Sequence, residues 1–332
     1  MIEQVLAYGI WVAIVLIIVG FIALVKGADW LVDGASAVAK RFGISDLVIG
    51  LTVVAFGTSM PEFVVNMVSV AEGSTDLAIT NILGSNIINT FVILGLTALV
   101  YPIVSQKRSR DFDIPMSIIA GILVFVAVWA SGYFNKPVYG INRASGIGLL
   151  VIFCYFLFNT FRHAKDHPEE IQPEEGSSTK SISIGKAILL ICVGLAGLVI
   201  GGELIVKSAV NLAVRCGVSQ AVIGLTIVAL GTSLPELATS VIAATKHNSD
   251  IALGNVIGSN IFNVFFVLGT SATIRPLPAY DGIELDAWIA AAGSIIVWLA
   301  VKTNKERKIM RWAGAVLLIV YAGYLTYRLL QV

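Results

Sequence analysis

Two glutamates stand in the middle of segments that are apolar enough to lie in a membrane. Glu62 lies within VVAFGTSMPEFVVNMVSV (53–70) and Glu236 lies within LGTSLPEL (230–237). A carboxylate at the centre of a membrane helix costs about 3 kcal/mol, so we expect each to face a polar cavity or a partner. The proline before each glutamate has no N–H, which frees the carbonyl oxygen four residues earlier. Freed carbonyls are tolerated in a membrane only where something else satisfies them. A hard cation is one such partner.

Further oxygen atoms recur around each glutamate at helical spacing. On one helix, Ala55, Ser59 and Glu62 share a face at i, i+4 and i+7, and Thr58 stands four residues before Glu62. The second segment repeats this arrangement with Ala229, Thr232, Ser233 and Glu236. The segments that follow, NILGSNIIN and NVIGSNIFN, stack amide and hydroxyl oxygens at i, i+4 and i+8, at Asn81, Ser85 and Asn89 and again at Asn255, Ser259 and Asn263.

The chemistry of this set indicates a site for a hard cation. All the donors are oxygen atoms, which suits calcium, sodium or magnesium rather than zinc or copper. Two carboxylates balance one divalent or two monovalent cations, so the site could hold either in turn. The plainer alternatives are a helix kink at each proline, hydroxyls bonded to their own helices, and Asn81 and Asn255 joining neighbouring helices. Duplication of the whole block favours the binding site.

Composition places these residues in an integral membrane protein. The 332 residues are 57% hydrophobic and only 13% charged, whereas soluble domains carry about 25% charged residues. The net charge of +1 argues against nucleic acid or another acidic macromolecule as partner. Hydropathy predicts ten spans, at about 5–32, 44–71, 77–101, 113–131, 141–162, 184–209, 218–244, 251–274, 285–302 and 310–330.

An internal repeat sets the predicted architecture. Residues 50–102 align with 224–276 without a gap at an offset of 174, and 23 of 53 positions are identical. Five spans separate equivalent points, so the two copies enter the membrane in opposite directions. We therefore predict an all-α polytopic membrane protein of ten transmembrane helices, built as two inverted-topology five-helix repeats. The first repeat covers 1–162, a polar cytoplasmic linker covers 163–183, and the second repeat covers 184–332.

Loop charges predict the orientation. With the N-terminus outside the cytoplasm, sixteen of the 22 lysines and arginines fall in cytoplasmic loops. The positive-inside rule therefore places both termini outside, in a multi-pass protein of the cell membrane.

The paired GTSxPE and GSNxxN blocks resemble the two α-repeats of the sodium/calcium exchanger family, within the cation/calcium antiporters. The resemblance implies that spans 2, 3, 7 and 8 form an ion-binding core, and that the long first and sixth spans slide against it. By motif position, Glu62 and Glu236 would be the shared calcium and sodium ligands. Thr58, Thr232, Ala55 and Ala229 would offer backbone carbonyls, and Ser59 and Ser233 would flank the sodium sites. The remaining positions would be lined by Ser85, Ser259, Asn89 and Asn263.

The resemblance also limits the expected function. It predicts a compact prokaryotic-type antiporter that exchanges Na+ for Ca2+ by alternating access, with no cofactor, membrane lipid around it and no obligate protein partner, as a monomer. Potassium-dependent relatives carry aspartate where this chain has Asn263, which argues against potassium co-transport. A cation/proton antiporter using the same glutamates is the open alternative. An enzyme is not expected, because HExxH, GxSG and GxGD signatures are absent from the sequence.

Overall fold

The computed structural model describes residues 9–133, 139–166, 182–218, 223, 226–227 and 229–330, and the regular secondary structure of this part of the chain is helical apart from four two-residue strands. The helices, numbered in chain order, are α1 Ile10–Phe42, α2 Asp46–Thr58, α3 Met60–Glu72, α4 Leu77–Val100, α5 Ser109–Tyr133, α6 Arg143–Asp166, α7 Ile184–Arg215, α8 Ala229–Thr232, α9 Leu234–Thr245, α10 Ser249–Ile274, α11 Ile283–Thr303 and α12 Arg311–Leu330.

Most of the predicted spans correspond to helices of the described chain. Eight helices there are long and apolar enough to cross a membrane, and a ninth span results if α2 and α3, bent by 45° at their junction, count as one. The predicted span 218–244 lies partly outside the described residues, and its described end consists of α8 and α9. The all-helical, multi-pass class is therefore confirmed, while the total of ten spans stays a prediction.

The helices that correspond to the first and sixth predicted spans are longer than those spans. We predicted 5–32 and 184–209, but α1 continues to Phe42 and α7 continues to Arg215. The helix persists beyond the first predicted span because residues that follow the span, Ala35, Ser36 and Ala39, are buried. Gly43, with φ of +62°, then ends α1 in the left-handed conformation that glycine adopts without strain.

Helix α6 extends beyond the predicted start of the linker. We placed its start at residue 163, but α6 continues to Asp166. An ion pair of 3.4 Å between Arg162 and Asp166, at i and i+4, supports this last helical turn. Residues 167–181, which hold most of the predicted linker, lie outside the described part of the chain.

The two long helices pack against each other through glycines. A Cβ atom on Gly20 would lie 2.8 Å from the carbonyl oxygen of Gly201, and one on Gly194 would lie 2.8 Å from that of Gly27. The missing side chains allow the backbones to approach closely, as small residues do between membrane helices. The two contacts are reciprocal, since Gly20 and Gly27 stand 174 residues before Gly194 and Gly201.

The centre of the molecule is formed by α4 and α10. In the most apolar 18-residue stretch of each helix, 94% of the residues are buried in α10 and 78% in α4, against 22% in α1 and α7. Two short antiparallel strand pairs join the chain at opposite ends of α5: Ile103–Val104 pairs with Lys308–Ile309, and Gly140–Ile141 pairs with Leu277–Pro278. The polar segments of the GSN blocks therefore occupy the best-shielded position in the fold.

Candidate ion-binding site

Each glutamate lies in the first turn of a helix that follows a break. The helical run stops at Ser59 (φ −86°, ψ 8°), and α3 then begins with a proline in its first turn. Ser233 has nearly the same conformation (φ −91°, ψ 6°) before α9, which also carries a proline in its first turn. The predicted continuous face from Ala55 to Glu62 is therefore wrong, because Ala55 belongs to α2 and Glu62 to α3. The proline explains the helix break, since its ring disfavours continuation of the preceding turn.

The two carboxylates are fully buried and each is contacted by serines from both blocks. Glu236 Oε1 accepts a hydrogen bond of 2.7 Å from Ser59 Oγ and one of 3.4 Å from Ser259 Oγ. Glu62 Oε1 accepts the equivalent bonds, 3.4 Å from Ser233 Oγ and 3.5 Å from Ser85 Oγ. The structure thus brings all six predicted side chains together, and each helix break contributes its serine to the glutamate of the other block.

Several buried oxygen atoms at this place have no hydrogen-bond donor among the described residues. They include the second carboxylate oxygen, Oε2, of both Glu62 and Glu236, and the amide oxygens of Asn89 and Asn263. Neither glutamate forms an ion pair with a described lysine or arginine. Burying a charge without a partner is costly, and a cation held between these oxygens would remove that cost.

The asparagines of the GSN blocks lie at a change of helical geometry. A π-helical turn begins at Ile88 in α4 and at Phe262 in α10, so that Asn89 and Asn263 are each the second residue of such a turn. The predicted spacing at i, i+4 and i+8 assumed a uniform α-helix, which the wider turns interrupt. Turns of this kind occur frequently at functional sites.

The Thr58 side chain has a structural role in this arrangement. Its hydroxyl donates a hydrogen bond of 3.0 Å to Asn255 Oδ1, and the Asn255 amide donates to the Glu236 carbonyl oxygen at 3.2 Å and to Ser240 Oγ at 2.9 Å. Asn255 therefore joins α2, α9 and α10, which was the plainer alternative for this residue. The family resemblance assigns ion binding to the backbone carbonyl of Thr58, and that assignment stays a prediction.

The other predicted carbonyl donors lie on the short helices before the breaks. The Ala55 carbonyl already accepts a hydrogen bond of 3.0 Å from the Ser59 amide. Ala229 begins α8 and Thr232 ends it. Thr232 also lines a cavity between α7, α3 and α9.

Three asparagines at this site were missed by the sequence reasoning. The Asn86 amide donates to the Asn260 carbonyl oxygen at 3.1 Å, and the Asn263 amide donates to Asn86 Oδ1 at 3.1 Å. Asn66, one turn after Glu62, is fully buried and both its polar side-chain atoms lack a partner among the described residues. The signal for the first pair was the third letter of the duplicated GSN motif, whereas Asn66 has a serine at its repeat position.

A close helix contact holds the second block in place. A Cβ atom on Gly258 would lie 2.8 Å from both the Ala55 Cβ atom and the Leu51 carbonyl oxygen. Only glycine therefore allows α10 to approach α2 this closely, and the next residue along the chain is Ser259, which contacts Glu236.

Comparison with known proteins identifies relatives along nearly the whole chain. The model of the family described as "Sodium/calcium exchanger protein" matches residues 12–162 and 186–330. The chain is 35% identical to the putative antiporter CaxA of Alkalimonas amylolytica, with 94% of this chain and 97% of that protein covered. It is 31% identical to the sodium/calcium exchanger MaX1 of Methanosarcina acetivorans, with 95% and 98% covered. A solved structure of the sodium-calcium exchanger NCX_Mj, soaked with 10 mM Na+ and zero Ca2+, superposes with a TM-score of 0.81 at 31% identity, covering 96% of this chain and 99% of that one.

Proposed function

The chain belongs to the sodium/calcium exchanger family, and we propose that it exchanges Na+ for Ca2+ across the cell membrane at the site between Glu62 and Glu236. The observation that carries the proposal is the pair of fully buried carboxylates, each with one oxygen atom that has no donor among the described residues. Their serine contacts orient them from both blocks, and nothing cationic in the described chain neutralises them.

The donor set favours hard cations. Carboxylate, amide, hydroxyl and carbonyl oxygens are the ligands that calcium and sodium take in proteins. The described residues contain no cluster of three or more histidine, cysteine, aspartate or glutamate side chains that would hold a transition metal. Two carboxylates neutralise one calcium ion or two sodium ions, so either cargo can replace the other without leaving a bare charge in the interior. Competition for one site is what exchange requires.

The proposed architecture follows the repeat. The chain has ten spans in two inverted five-helix repeats, 1–162 and 184–332, with a cytoplasmic linker between them and both termini outside. The reciprocal contacts of residues 174 positions apart, at the serine–glutamate pairs and at the glycines of α1 and α7, support this symmetry. The proposed working unit is a monomer surrounded by lipid, and it uses small cations as substrates and no cofactor.

The proposed cycle alternates access to this one site. The two long helices, α1 and α7, pack on each other through glycines and lie at the outside of the fold. A pair in such contact can shift against the buried helices α4 and α10 without repacking the site itself. Its movement would open the site to one side of the membrane and close it to the other.

The decisive experiment measures calcium-45 uptake into proteoliposomes with a gradient of Na+, K+ or H+ as the only driving force. We expect uptake with the Na+ gradient and not with the K+ gradient. Uptake that follows the pH gradient, and is indifferent to Na+, would identify a cation/proton antiporter instead.

A further inference from the structure

A cluster of charges joins the long helix α1 to the turn between α9 and α10. The Lys246 ammonium nitrogen lies 2.6 Å from Asp33 Oδ1 and 2.7 Å from Asp29 Oδ1. It also donates a hydrogen bond of 3.0 Å to the Asp29 carbonyl oxygen. Two residues further on, Asn248 donates a hydrogen bond of 3.1 Å to Ser36 Oγ on the same helix. The ion-binding function proposed above does not use these residues.

The repeat offset gives this cluster a counterpart in which the acidic and basic members of one charge pair are exchanged. The ungapped alignment at offset 174 extends into the long helices, where Gly20, Val25, Gly27 and Val32 match Gly194, Val199, Gly201 and Val206. In the same register, Asp33 matches Lys207 and Lys246 matches Glu72, whereas Asp29 matches another acidic residue, Glu203. The basic residue is therefore in the turn at one end and on the long helix at the other.

The counterpart residues are not joined in this structure. Lys207 forms its ion pair with Glu203 on its own helix, at 2.5 Å. Glu72 is exposed at the end of α3, and no ion pair links it to Lys207, although the structure describes both residues. Of the two equivalent charge pairs, only the one at Lys246 is formed.

The packing beside the long helices also differs between the two ends, and it is looser at the end where the charge pair is not formed. Beside Lys207 lies a cavity of about 440 Å³ between α7, α3 and α9, with Val64 and Val65 among its lining residues. These two side chains are 52% and 40% exposed. Their counterparts at the Lys246 end, Ala238 and Thr239, are 9% and 0% exposed. The space beside the long helix is closed where the charge pair is formed and open where it is not.

We propose that these charges form two alternating latches. The first latch consists of Lys246, Asp29 and Asp33, and it holds α1 against the turn after α9 in the state described here. The second latch consists of Glu72 and Lys207, and it forms when the cavity beside α7 closes and the first latch opens. This inference rests on the proposed alternating access of the exchanger.

The physical basis is differential interaction with two states. An ion pair shifts a conformational equilibrium only if it is formed in one state and absent in the other. Partly exposed pairs are individually weak, so each latch biases access without locking it. Two latches of similar chemistry offset each other and keep the two states close in free energy.

Thiol labelling tests the first latch directly. In a background with Cys154, Cys192 and Cys216 replaced by serine, Val64→Cys reports the open space and Ala238→Cys reports its closed counterpart. A charged thiol reagent is present on both sides of the proteoliposome membrane. Lys246→Gln should raise labelling of Ala238→Cys about fivefold and lower labelling of Val64→Cys, because loss of a weak ion-pair cluster shifts a near-balanced equilibrium by that order. Lys246→Arg, which keeps the charge, should retain the parent ratio.

The second latch predicts the opposite shift. Glu72→Gln should raise labelling of Val64→Cys and lower that of Ala238→Cys, because the closed form of that end loses its ion pair. Unchanged labelling ratios in Lys246→Gln would overturn the first latch, and an unchanged ratio in Glu72→Gln would overturn the second. The labelling needs no transport, so a parent protein that exchanges no calcium would refute the proposed function while a labelling shift still supported the latches.

Discussion

Ser59 Oγ donates a hydrogen bond of 2.7 Å to Glu236 Oε1, across a separation of 177 residues in the chain. The reciprocal bond, from Ser233 Oγ to Glu62 Oε1, is 3.4 Å long. Each serine lies at the helix break before the glutamate of its own block and contacts the glutamate of the other block. The two blocks therefore share one cluster of polar contacts, and neither block forms these contacts by itself.

This shared contact predicts the effect of removing one hydroxyl. Ser59→Ala should weaken calcium affinity roughly tenfold, because a hydrogen bond to a buried carboxylate contributes about 1.5–3 kcal/mol. Ser233→Ala should have a smaller effect, since its bond is longer. The measurement is the calcium concentration that gives half-maximal sodium-driven uptake. Ser117→Ala is the matched control, a buried serine bonded at 3.0 Å to Ser294 away from the site. Equal losses in Ser59→Ala and Ser117→Ala would show that the effect is structural.

The asparagine amides should contribute less than the carboxylates. Asn89→Ala and Asn263→Ala remove a dipole and not a charge, so we expect weakened transport with activity still measurable. Asn263→Asp adds a third carboxylate at the site and should change which monovalent ions couple to calcium. Uptake assays with sodium and potassium gradients would reveal this change. A variant of Asn263→Asp with unaltered ion selectivity would separate Asn263 from the ion path.

The close approach of α10 to α2 predicts that even a methyl group added at Gly258 lowers stability. Gly258→Ala places a Cβ atom 2.8 Å from the Leu51 carbonyl oxygen, and overpacking of this kind costs about 1–3 kcal/mol. We expect a lower thermal midpoint in detergent and weaker calcium binding, because Ser259 moves with its helix. Gly148→Ala is the control, since no described atom lies within 4 Å of the added carbon. Similar midpoints for both variants would refute the tight contact.

The proposed inverted topology predicts labelling from opposite sides of the membrane. Ala71 and Thr245 are exposed, stand 174 residues apart and lie in the last turns of the equivalent helices α3 and α9. In the cysteine-free background, Ala71→Cys should react with an impermeant thiol reagent added outside, and Thr245→Cys only after the membrane is permeabilised. Equal reaction of both cysteines from outside would contradict the opposite orientation of the two repeats.

The sequence was sufficient for the class and the family, and it proposed the candidate site residues that the structure brings together. Apolar length predicted the helices, and duplication of the GTSxPE and GSNxxN blocks singled out Glu62, Glu236 and the four serines that contact them. Backbone detail was less accessible. The π-helical turns at Ile88 and Phe262 have no local sequence signature, because the same apolar residues suit an ordinary α-helix.

Long-range polar contacts were hidden for a different reason. Hydropathy ended the first span at residue 32, just before Asp33, because it carries no information that Lys246, more than 200 positions later, pairs with Asp33. Asn66 was missed because the repeat comparison favours positions that are identical in both copies. Tertiary packing decided both cases.

The most direct test of the central claim is sodium-driven calcium-45 uptake by Glu62→Gln and Glu236→Gln. Glutamine keeps the size of the side chain and removes one charge of the pair, which leaves a bound dication unbalanced at a buried site where Coulomb interactions are strong. Both variants should still insert, since a neutral amide is cheaper in lipid than a carboxylate. Glu306→Gln, at an exposed turn, serves as the control. We predict that uptake falls to background in both site variants and is unchanged in the control. Sodium-driven uptake at the parent rate in either Glu62→Gln or Glu236→Gln would contradict the assignment of these two residues as the shared ion ligands.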